Sequence, residues 1–304
     1  MRVVSLVPAA TELVCALGRA AALVGVSHEC DFPPEVSTLR KVTRPRFEAT
    51  GTSRTIDEQV RRALALGEPL YEVLPDMLRA LLPDVVLVQD QCQVCALPAS
   101  QVEEARAALR LQFEVVKLHA HDLEGIWSDF ARVADALGCG AEGRQFVENC
   151  QGELEAVRKR TARARYRPAV LCLEWLDPPM VAGNWMPELV DIAGGRSLLA
   201  APGNSSRPCD WETILAAAPE VLILMPCGFP IERTLAELDV LRAAQVWSRL
   251  PAVRNGRTYV TDGNAYFNRP GPRIVDSARI LAGLLQPGLC AHWLPDGSWQ
   301  RVAE

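Results

Sequence analysis

The chain has 304 residues, of which 49% are hydrophobic and 23% charged, and its net charge is −5. This length is sufficient for two domains of ordinary size, each with its own core. The acidic balance gives no reason to expect nucleic-acid binding, which needs a basic face, and no stretch approaches the roughly 20 apolar residues of a membrane-spanning helix. We therefore expect a globular protein with no nucleic-acid partner and no membrane span.

The first residues predict a strand rather than a secretory leader. Met1 and Arg2 are followed at once by the apolar run Val3–Val7, which leaves no room for the basic start, apolar segment and cleavage site of a signal peptide. The sequence as given therefore predicts a cytoplasmic protein. If it is a mature form with an added Met, it fits a periplasmic or surface-anchored protein.

Short β-branched apolar runs alternate with longer helical periods along most of the chain. The predicted strands are Val3–Val7, Leu23–Val26, Val85–Val88, Phe113–Leu118, Ala169–Leu173, Val221–Met225 and Arg257–Val260. The helices predicted between them include Thr11–Leu17, Met77–Leu82 and Val102–Leu109. Strands that alternate with helices are typical of parallel, doubly wound sheets. The sequence therefore predicts an α/β fold.

One segment interrupts this alternation, because residues 121–164 show helical periodicity and no strand signal. The Gly138–Gly140 pair predicts a turn between two helices, and the second helix separates two α/β halves. The predicted organisation is an N-terminal α/β domain over 1–120, a helical linker over 121–166, a C-terminal α/β domain over 167–290 and a tail over 291–304.

The chain carries ten cysteines, and most of them lie in apolar patterns where a free thiol packs as a small hydrophobic group. Cys92 and Cys95 differ, because a Cys-x-x-Cys pair after a strand fits half a zinc site, a redox pair or part of a soft metal site. No further zinc ligands lie nearby in sequence. We therefore favour ligand contact or a local disulfide over catalytic turnover.

The order and spacing of four segments resemble the class III substrate-binding proteins of ABC importers, in particular the vitamin B12-binding proteins of this metal-chelate receptor family. The segments are Arg2–Leu13, Val24–Pro34, the pair Leu82–Leu87 and Ala218–Ile223, and Trp247–Arg257. The resemblance covers residues 2 to about 285. It implies two Rossmann-like lobes with parallel sheets, one long backbone helix that joins them, and a ligand cleft between the lobes.

The resemblance and the rule that ligands bind beyond the carboxyl ends of parallel strands together indicate the ligand-binding residues. In the first half these are Pro8, Ala9, Ala10, His28, Glu29, Gln91, Cys92 and Cys95. In the second half they are Trp175, Asn184, Trp185, Tyr266, Phe267, Asn268 and Arg269. Aromatic faces suit a flat macrocycle, and Asn and Arg donors suit the amides and phosphate at the periphery of cobalamin.

Three of the predicted residues also have a plainer interpretation. His28 is a candidate metal ligand through a neutral ring nitrogen, or it makes only a polar bond within its loop. Asp76 and Glu212 occupy equivalent places in the two halves, and in importer-linked relatives acids at these places dock onto arginines of the membrane permease. Both are alternatively ordinary acids at helix N-termini.

These observations predict a non-catalytic protein that binds a corrinoid as an importer-linked or cytoplasmic carrier, with an ABC permease as a partner and no cofactor beyond the ligand. A second hypothesis keeps the fold and changes the ligand to haem, a ferric siderophore or a metal ion. A third is a thiol redox or corrinoid-modifying enzyme that uses Cys92 and Cys95. The sequence shows no set of nucleophile, base and orienting acid, so we expect no enzymatic activity.

Overall fold

A computed structural model describes residues 1–91 and 97–303 of the chain. These residues form two compact units. The first unit contains Met1–Gly51, Glu58–Ala120 and Glu124–Asn149, and the second contains Thr52–Asp57, His121–Leu123 and Cys150–Glu304. Each unit is thus built from three segments that are not contiguous in the sequence. The domain limits drawn from the sequence stay a prediction.

The first unit is built on a five-stranded parallel sheet with the order β3-β2-β1-β6-β7. Its strands are β1 (Val3–Ser5), β2 (Leu23–Val26), β3 (Arg40–Lys41), β6 (Val85–Gln89) and β7 (Glu114–Leu118). The short antiparallel strands β4 (Thr43–Pro45) and β5 (Tyr71–Val73) form a separate pair. Residues Val85–Val88 of β6 are all buried, as expected for a central parallel strand covered on both faces.

Six helices accompany these strands or lead out of them. They are α1 (Pro8–Ala16), α2 (Ser53–Ala65), α3 (Pro75–Leu81), α4 (Ala99–Leu109), α5 (Leu123–Ala136) and α6 (Gly140–Thr161). Both α1 and α3 begin with proline, whose fixed φ and missing N–H suit the first helical position. Because α1 begins at Pro8, the helix start predicted at Thr11 is wrong.

The helical segment predicted over residues 121–164 is confirmed. It consists of α5 and α6, and Gly138 between them adopts a positive φ of 67°, a conformation that glycine tolerates without steric cost. Residues 140–149 of α6 group with the first unit and residues 150–161 with the second. The long helix therefore belongs to both α/β units, as the resemblance implied.

The second unit contains a seven-stranded mixed sheet with the order β11-β9-β8-β12-β13-β14, in which β10 also pairs with β8. The strands are β8 (Ala169–Leu176), β9 (Pro179–Val181), β10 (Arg196–Ser197), β11 (Arg207–Pro208), β12 (Val221–Leu224), β13 (Thr258–Thr261) and β14 (Trp299–Arg301). The central pairs β8–β12 and β12–β13 are parallel, whereas β9, β11 and β14 join in antiparallel orientation.

The other α-helices of the described residues belong to the second unit. They are α7 (Met186–Ile192), α8 (Trp211–Ala217), α9 (Ile231–Ala236), α10 (Leu238–Arg242), α11 (Pro251–Arg254), α12 (Ile274–Leu285) and α13 (Pro287–Cys290). Strand β12 is fully buried along its length and lies in the core of this unit with Leu171, Leu173 and Ile214. The predicted α/β class with two Rossmann-like units is confirmed.

The two units share one local arrangement, which occurs at the repeated sequence Pro-acid-Val, residues 83–85 and 219–221. Helices α3 and α8 each end at a non-glycine residue in the left-handed conformation, Leu82 (φ 43°) and Ala218 (φ 49°). A proline and an acid follow, and the acid accepts a backbone N–H at the start of the neighbouring strand, that of Arg2 directly before β1 or that of Ala169 at the start of β8. Asp84 Oδ2 lies 2.6 Å from the Arg2 nitrogen, and Glu220 Oε2 lies 2.7 Å from the Ala169 nitrogen.

The Glu220 bond predicts a pH-dependent contribution to stability. The Ala169 N–H, and then the Tyr166 hydroxyl, hold the pKa of Glu220 below its ordinary value. The contribution is therefore complete above the ordinary carboxyl pKa and disappears as the pH falls through the lowered, folded-state pKa. We expect Glu220→Gln to lower the free energy of unfolding by about 1 kcal/mol at pH 7 and by less in acid.

Urea denaturation at pH 7 and pH 4 measures this difference. Glu104→Gln is the matched control, because Glu104 is an exposed residue of α4. Equal stability of wild type and Glu220→Gln at pH 7 would contradict the prediction.

Candidate functional site

In the first unit, the loop after β1 exposes little of the predicted Pro8–Ala10 segment. Pro8 is half-buried at the first position of α1, and the methyl groups of Ala9 and Ala10 are buried. Within this segment, only the Pro8 side chain is thus available for contact with a ligand. Ala9 and Ala10 could contact a ligand only through their backbone at the start of α1.

A buried group of hydroxyls and one thiol ties this helix to the loop after β2. Thr11 Oγ1 lies 2.8 Å from Ser5 Oγ and 3.0 Å from Cys30 Sγ, and Ser27 Oγ lies 3.2 Å from the same sulfur. Burial raises the pKa of the Cys30 thiol, so the group stays neutral. The arrangement fixes the position of the loop that carries His28.

His28 is half-buried and is held from two sides. Its Nδ1 lies 2.8 Å from Thr43 Oγ1, which also accepts the His28 backbone N–H at 3.0 Å. The ring packs against Tyr71 with 5.3 Å between centroids, and Nε2 lies 4.0 Å from Glu29 Oε1. The tautomer that donates Nδ1–H to Thr43 leaves the Nε2 lone pair for a metal.

The charge state of His28 favours such a role. Burial, and secondarily the cation of Lys41, lowers the pKa of His28 from 6.5 to about 4. The imidazole is therefore neutral at pH 7, which is the form that binds metals. Within residues 1–91 and 97–303, however, no group of three or more His, Cys, Asp or Glu side chains is arranged to hold a metal ion.

The other predicted residues of the first unit lie at loop or helix ends. Gln91 is half-buried two residues after the end of β6, and Cys92 and Cys95 lie outside the described residues. Asp76 stands in the first turn of α3, where its side chain is 91% exposed and pairs with Arg79 at 3.7 Å. An acid that docks onto a permease and an ordinary acid at a helix N-terminus are both expected to be exposed, so this exposure does not distinguish the two interpretations of Asp76.

In the second unit, Trp175 occupies the end of β8 and is partly buried. Its indole Nε1 donates to the Ser53 carbonyl at 3.2 Å. Phe229 meets the ring edge to face with 5.2 Å between centroids. These two contacts fix the orientation of the indole while part of its surface stays accessible.

Trp185 and Phe267 are instead inside the second unit. Trp185 is 4% exposed, and its Nε1 donates to the Phe267 carbonyl at 2.8 Å. Phe267 is 0% exposed and packs against Tyr266 with 6.2 Å between centroids. The structure therefore brings these aromatic residues together as packing, and of the three only Tyr266 is partly exposed.

The predicted polar residues of this unit hold their own loops. Asn268 donates its amide to the carbonyls of Met225 and Gly263, both at 2.9 Å, and Arg269 donates to Asn264 Oδ1 at 2.8 Å. Asn184 has a positive φ of 51°, and its Oδ1 lies 3.4 Å from His121 Nδ1. These bonds position the loops after β9 and β13.

Glu212 stands in the first turn of α8 and is exposed. Asp210, the residue before α8, caps this helix by accepting the Thr213 N–H at 2.7 Å. Capping thus does not require Glu212, and its carboxylate is available at the surface. Elsewhere in this unit, a cavity of about 360 Å³ lies beside Leu199, Asn204 and Arg207 and is lined by none of the predicted residues.

Sequence reasoning missed the partners that orient the two best-placed residues. Thr43 and Tyr71 hold His28, and Ser53 holds Trp175. Each partner is distant in the chain: Ser53 precedes Trp175 by 122 positions. A serine at the start of a helix is the local feature that could have drawn attention to Ser53, but the sequence pattern did not predict helix α2.

The lowered pKa of His28 predicts a specific pH profile of stability. The unfolded chain takes up a proton near pH 6.5 and the folded chain near pH 4, so the wild type loses stability as the pH falls through this window. We expect His28→Gln to lack that loss in urea denaturation at pH 7.5 and pH 5. Identical pH profiles of the two proteins would contradict the assignment.

Comparisons with known proteins agree with this architecture. The family model described as "Periplasmic binding protein" matches residues 3–265. The vitamin B12-binding protein of Vibrio cholerae is 24% identical over 289 residues, which cover 94% of this chain and 89% of that protein.

Two solved structures share the fold over almost the whole chain. A periplasmic heme-binding protein from Pseudomonas aeruginosa has a TM-score of 0.72 and 21% identity, with 95% of this chain and 93% of that chain covered. The periplasmic vitamin B12-binding protein BtuF of Vibrio cholerae has a TM-score of 0.68 and 19% identity, with 94% of this chain and 96% of that chain covered.

Among the described residues, no helix combines the length and apolarity needed to cross a membrane. With the family model matching most of its length, the chain belongs to the periplasmic binding protein family.

Proposed function

We propose that this protein binds a corrinoid, cobalamin or a close relative, as the ligand-carrying component of an importer and without catalysing a reaction. The observation that carries the proposal is the similarity to a vitamin B12-binding protein over 94% of the chain. No part of the proposal requires a cofactor other than the ligand itself.

The residues at the ends of the central strands support a flat, metal-bearing ligand. Trp175 offers a partly exposed aromatic surface held in one orientation by Ser53 and Phe229. Such a surface contributes contact area and dispersion without charge. Tyr266 is partly exposed as well, and a macrocycle is the kind of ligand that aromatic side chains cover best.

Haem is the second candidate ligand. It is favoured by the structural similarity to a heme-binding protein at a TM-score of 0.72 and by the neutral imidazole of His28. A single histidine with one nitrogen bonded to Thr43 suits an axial ligand of a chelated metal better than a site for a bare ion, which needs several protein donors.

Asp76 and Glu212 are the proposed contacts with an ABC permease. Each carboxylate is exposed in the first turn of a helix in its own unit. Exposed carboxylates are suited to arginine partners, with which they form bidentate, charge-assisted hydrogen bonds. This partner implies a location outside the cytoplasmic membrane.

Absorbance titration of the purified protein with aquocobalamin, and separately with haemin, tests the proposal. We expect saturable binding of aquocobalamin with one ligand per chain and a shift of its visible bands. Saturable binding of haemin alone would replace the corrinoid with the second candidate. No spectral change with either compound, at concentrations well above that of the protein, would refute the proposed function.

Replacement of Trp175 tests the site itself. We expect Trp175→Ala to raise the Kd of the bound chelate by about tenfold or more, because buried aromatic contacts dominate binding energies. Trp293→Ala is the matched control, since Trp293 lies in a short helical turn near the C-terminus and is partly buried as well. Equal Kd values for the two variants would show that the ligand does not contact Trp175.

A further inference from the structure

Residues 52–57 belong to the second unit although the residues on either side of them belong to the first. They form the start of α2, and Ser53 within them is completely buried. The backbone N–H of Ser53 donates to Glu237 Oε2 at 2.7 Å, across 184 positions of sequence. Glu237 itself is only 8% exposed.

The position of Glu237 suits the electrostatics of a helix start. The first N–H groups of a helix lack acceptors within the helix, and the helix dipole attracts negative charge to this end. Thr52 Oγ1 accepts one of these groups, the N–H of Thr55, at 3.3 Å. Glu237 supplies a charged acceptor for another, and Arg54 adds a two-bond ion pair to Asp177 at 2.8 and 3.0 Å.

The anchored segment is connected to Trp175 and its neighbours by a chain of contacts. The Ser53 carbonyl accepts the Trp175 indole N–H at 3.2 Å, and Trp175 packs on Phe229. The guanidinium of Arg233 lies over the ring of Phe229, 3.8 Å from its centroid. The charge of Glu237 acts on the same guanidinium and opposes the lowering of the Arg233 pKa that burial causes.

We propose that Glu237 and Ser53 are positioning residues of the ligand site, which hold the Trp175 indole in its binding orientation. The proposal deepens the proposed function and rests on it, because it presumes a chelate on the accessible surface of Trp175. Glu237 is not expected to touch the ligand. Its effect passes through the Ser53 peptide, whose N–H and carbonyl bond to Glu237 and Trp175 respectively.

This arrangement makes ligand binding and the order of residues 52–57 interdependent. If anchored Ser53 favours the binding orientation of Trp175, then a bound ligand favours anchored Ser53 to the same extent, since coupling between two equilibria is reciprocal. The ligand should therefore slow hydrogen exchange at the amides of residues 53–57. Weakening of the Glu237 bond should weaken ligand binding in turn.

The test is a double-mutant cycle of Glu237→Gln and Trp175→Phe, read by absorbance titration with aquocobalamin, or with haemin if that is the chelate that the wild type binds. Trp175→Phe keeps an aromatic face and removes the indole N–H. Glu232→Gln is the matched control, since Glu232 is an exposed acid of the same α9 region. Thermal unfolding confirms that each variant is folded.

We expect Glu237→Gln to raise Kd by roughly two- to fivefold, the range for a charge at a helix end, and Glu232→Gln to leave it unchanged. In the Trp175→Phe background, Glu237→Gln should have little further effect. Hydrogen exchange of residues 53–57 should slow with ligand in the wild type and much less in Glu237→Gln.

The outcomes separate this assignment from the proposed function. Absence of binding by the wild type overturns both. Binding by the wild type with an unchanged Kd in Glu237→Gln overturns the assignment alone. The same is true if Glu237→Gln weakens binding equally with and without the Trp175 indole, because Glu237 would then act on the ligand by another route.

Discussion

The register between the two central strands of the second unit governs where its candidate ligand residues lie. Glu220 bonds the first N–H of β8, and the parallel pairing of β8 and β12 follows from there in unbroken register. At the far end of the strands, the Cys227 N–H bonds to the Glu174 carbonyl at 3.0 Å. Trp175, the next residue of β8, therefore lies beside the loop after β12, where Phe229 packs on it.

The first unit has the same arrangement at its central strands, but a different side chain lies near their carboxyl ends. Asp84 fixes the start of β1 against β6, and the loops after β1 and β2 are then joined by Ser5, Thr11 and Cys30. This buried polar group leaves His28 facing Thr43 and Tyr71. One unit thus presents a neutral imidazole in the loop after β2, and the other presents a partly exposed indole near the carboxyl end of β8.

Local pattern was sufficient for the central strands and the helical segment but not for the short edge elements. Val85–Val88 and Val221–Leu224 are buried on both faces and therefore appear in the sequence as continuous apolar runs. By contrast, β9 and β11 span three and two residues, too short to show alternation. Helix α2 also escaped prediction, because its start is fixed by Glu237, a residue 184 positions away. The same reason separates Trp175 from Trp185: the sequence predicts both as ligand contacts, but only the fold supplies the Phe267 carbonyl, 82 positions away, to which the buried Trp185 indole donates.

The account centres on a flat metal chelate held against the indole of Trp175. Anomalous X-ray scattering from cobalt, in crystals of the protein grown with cobalamin, tests this most directly because it locates the metal without reference to the protein chain. The account predicts a cobalt peak facing the Trp175 ring, at the separation set by a corrin that covers it. A cobalt peak elsewhere, such as in the cavity beside Arg207, with the Trp175 ring free of ligand, would contradict it.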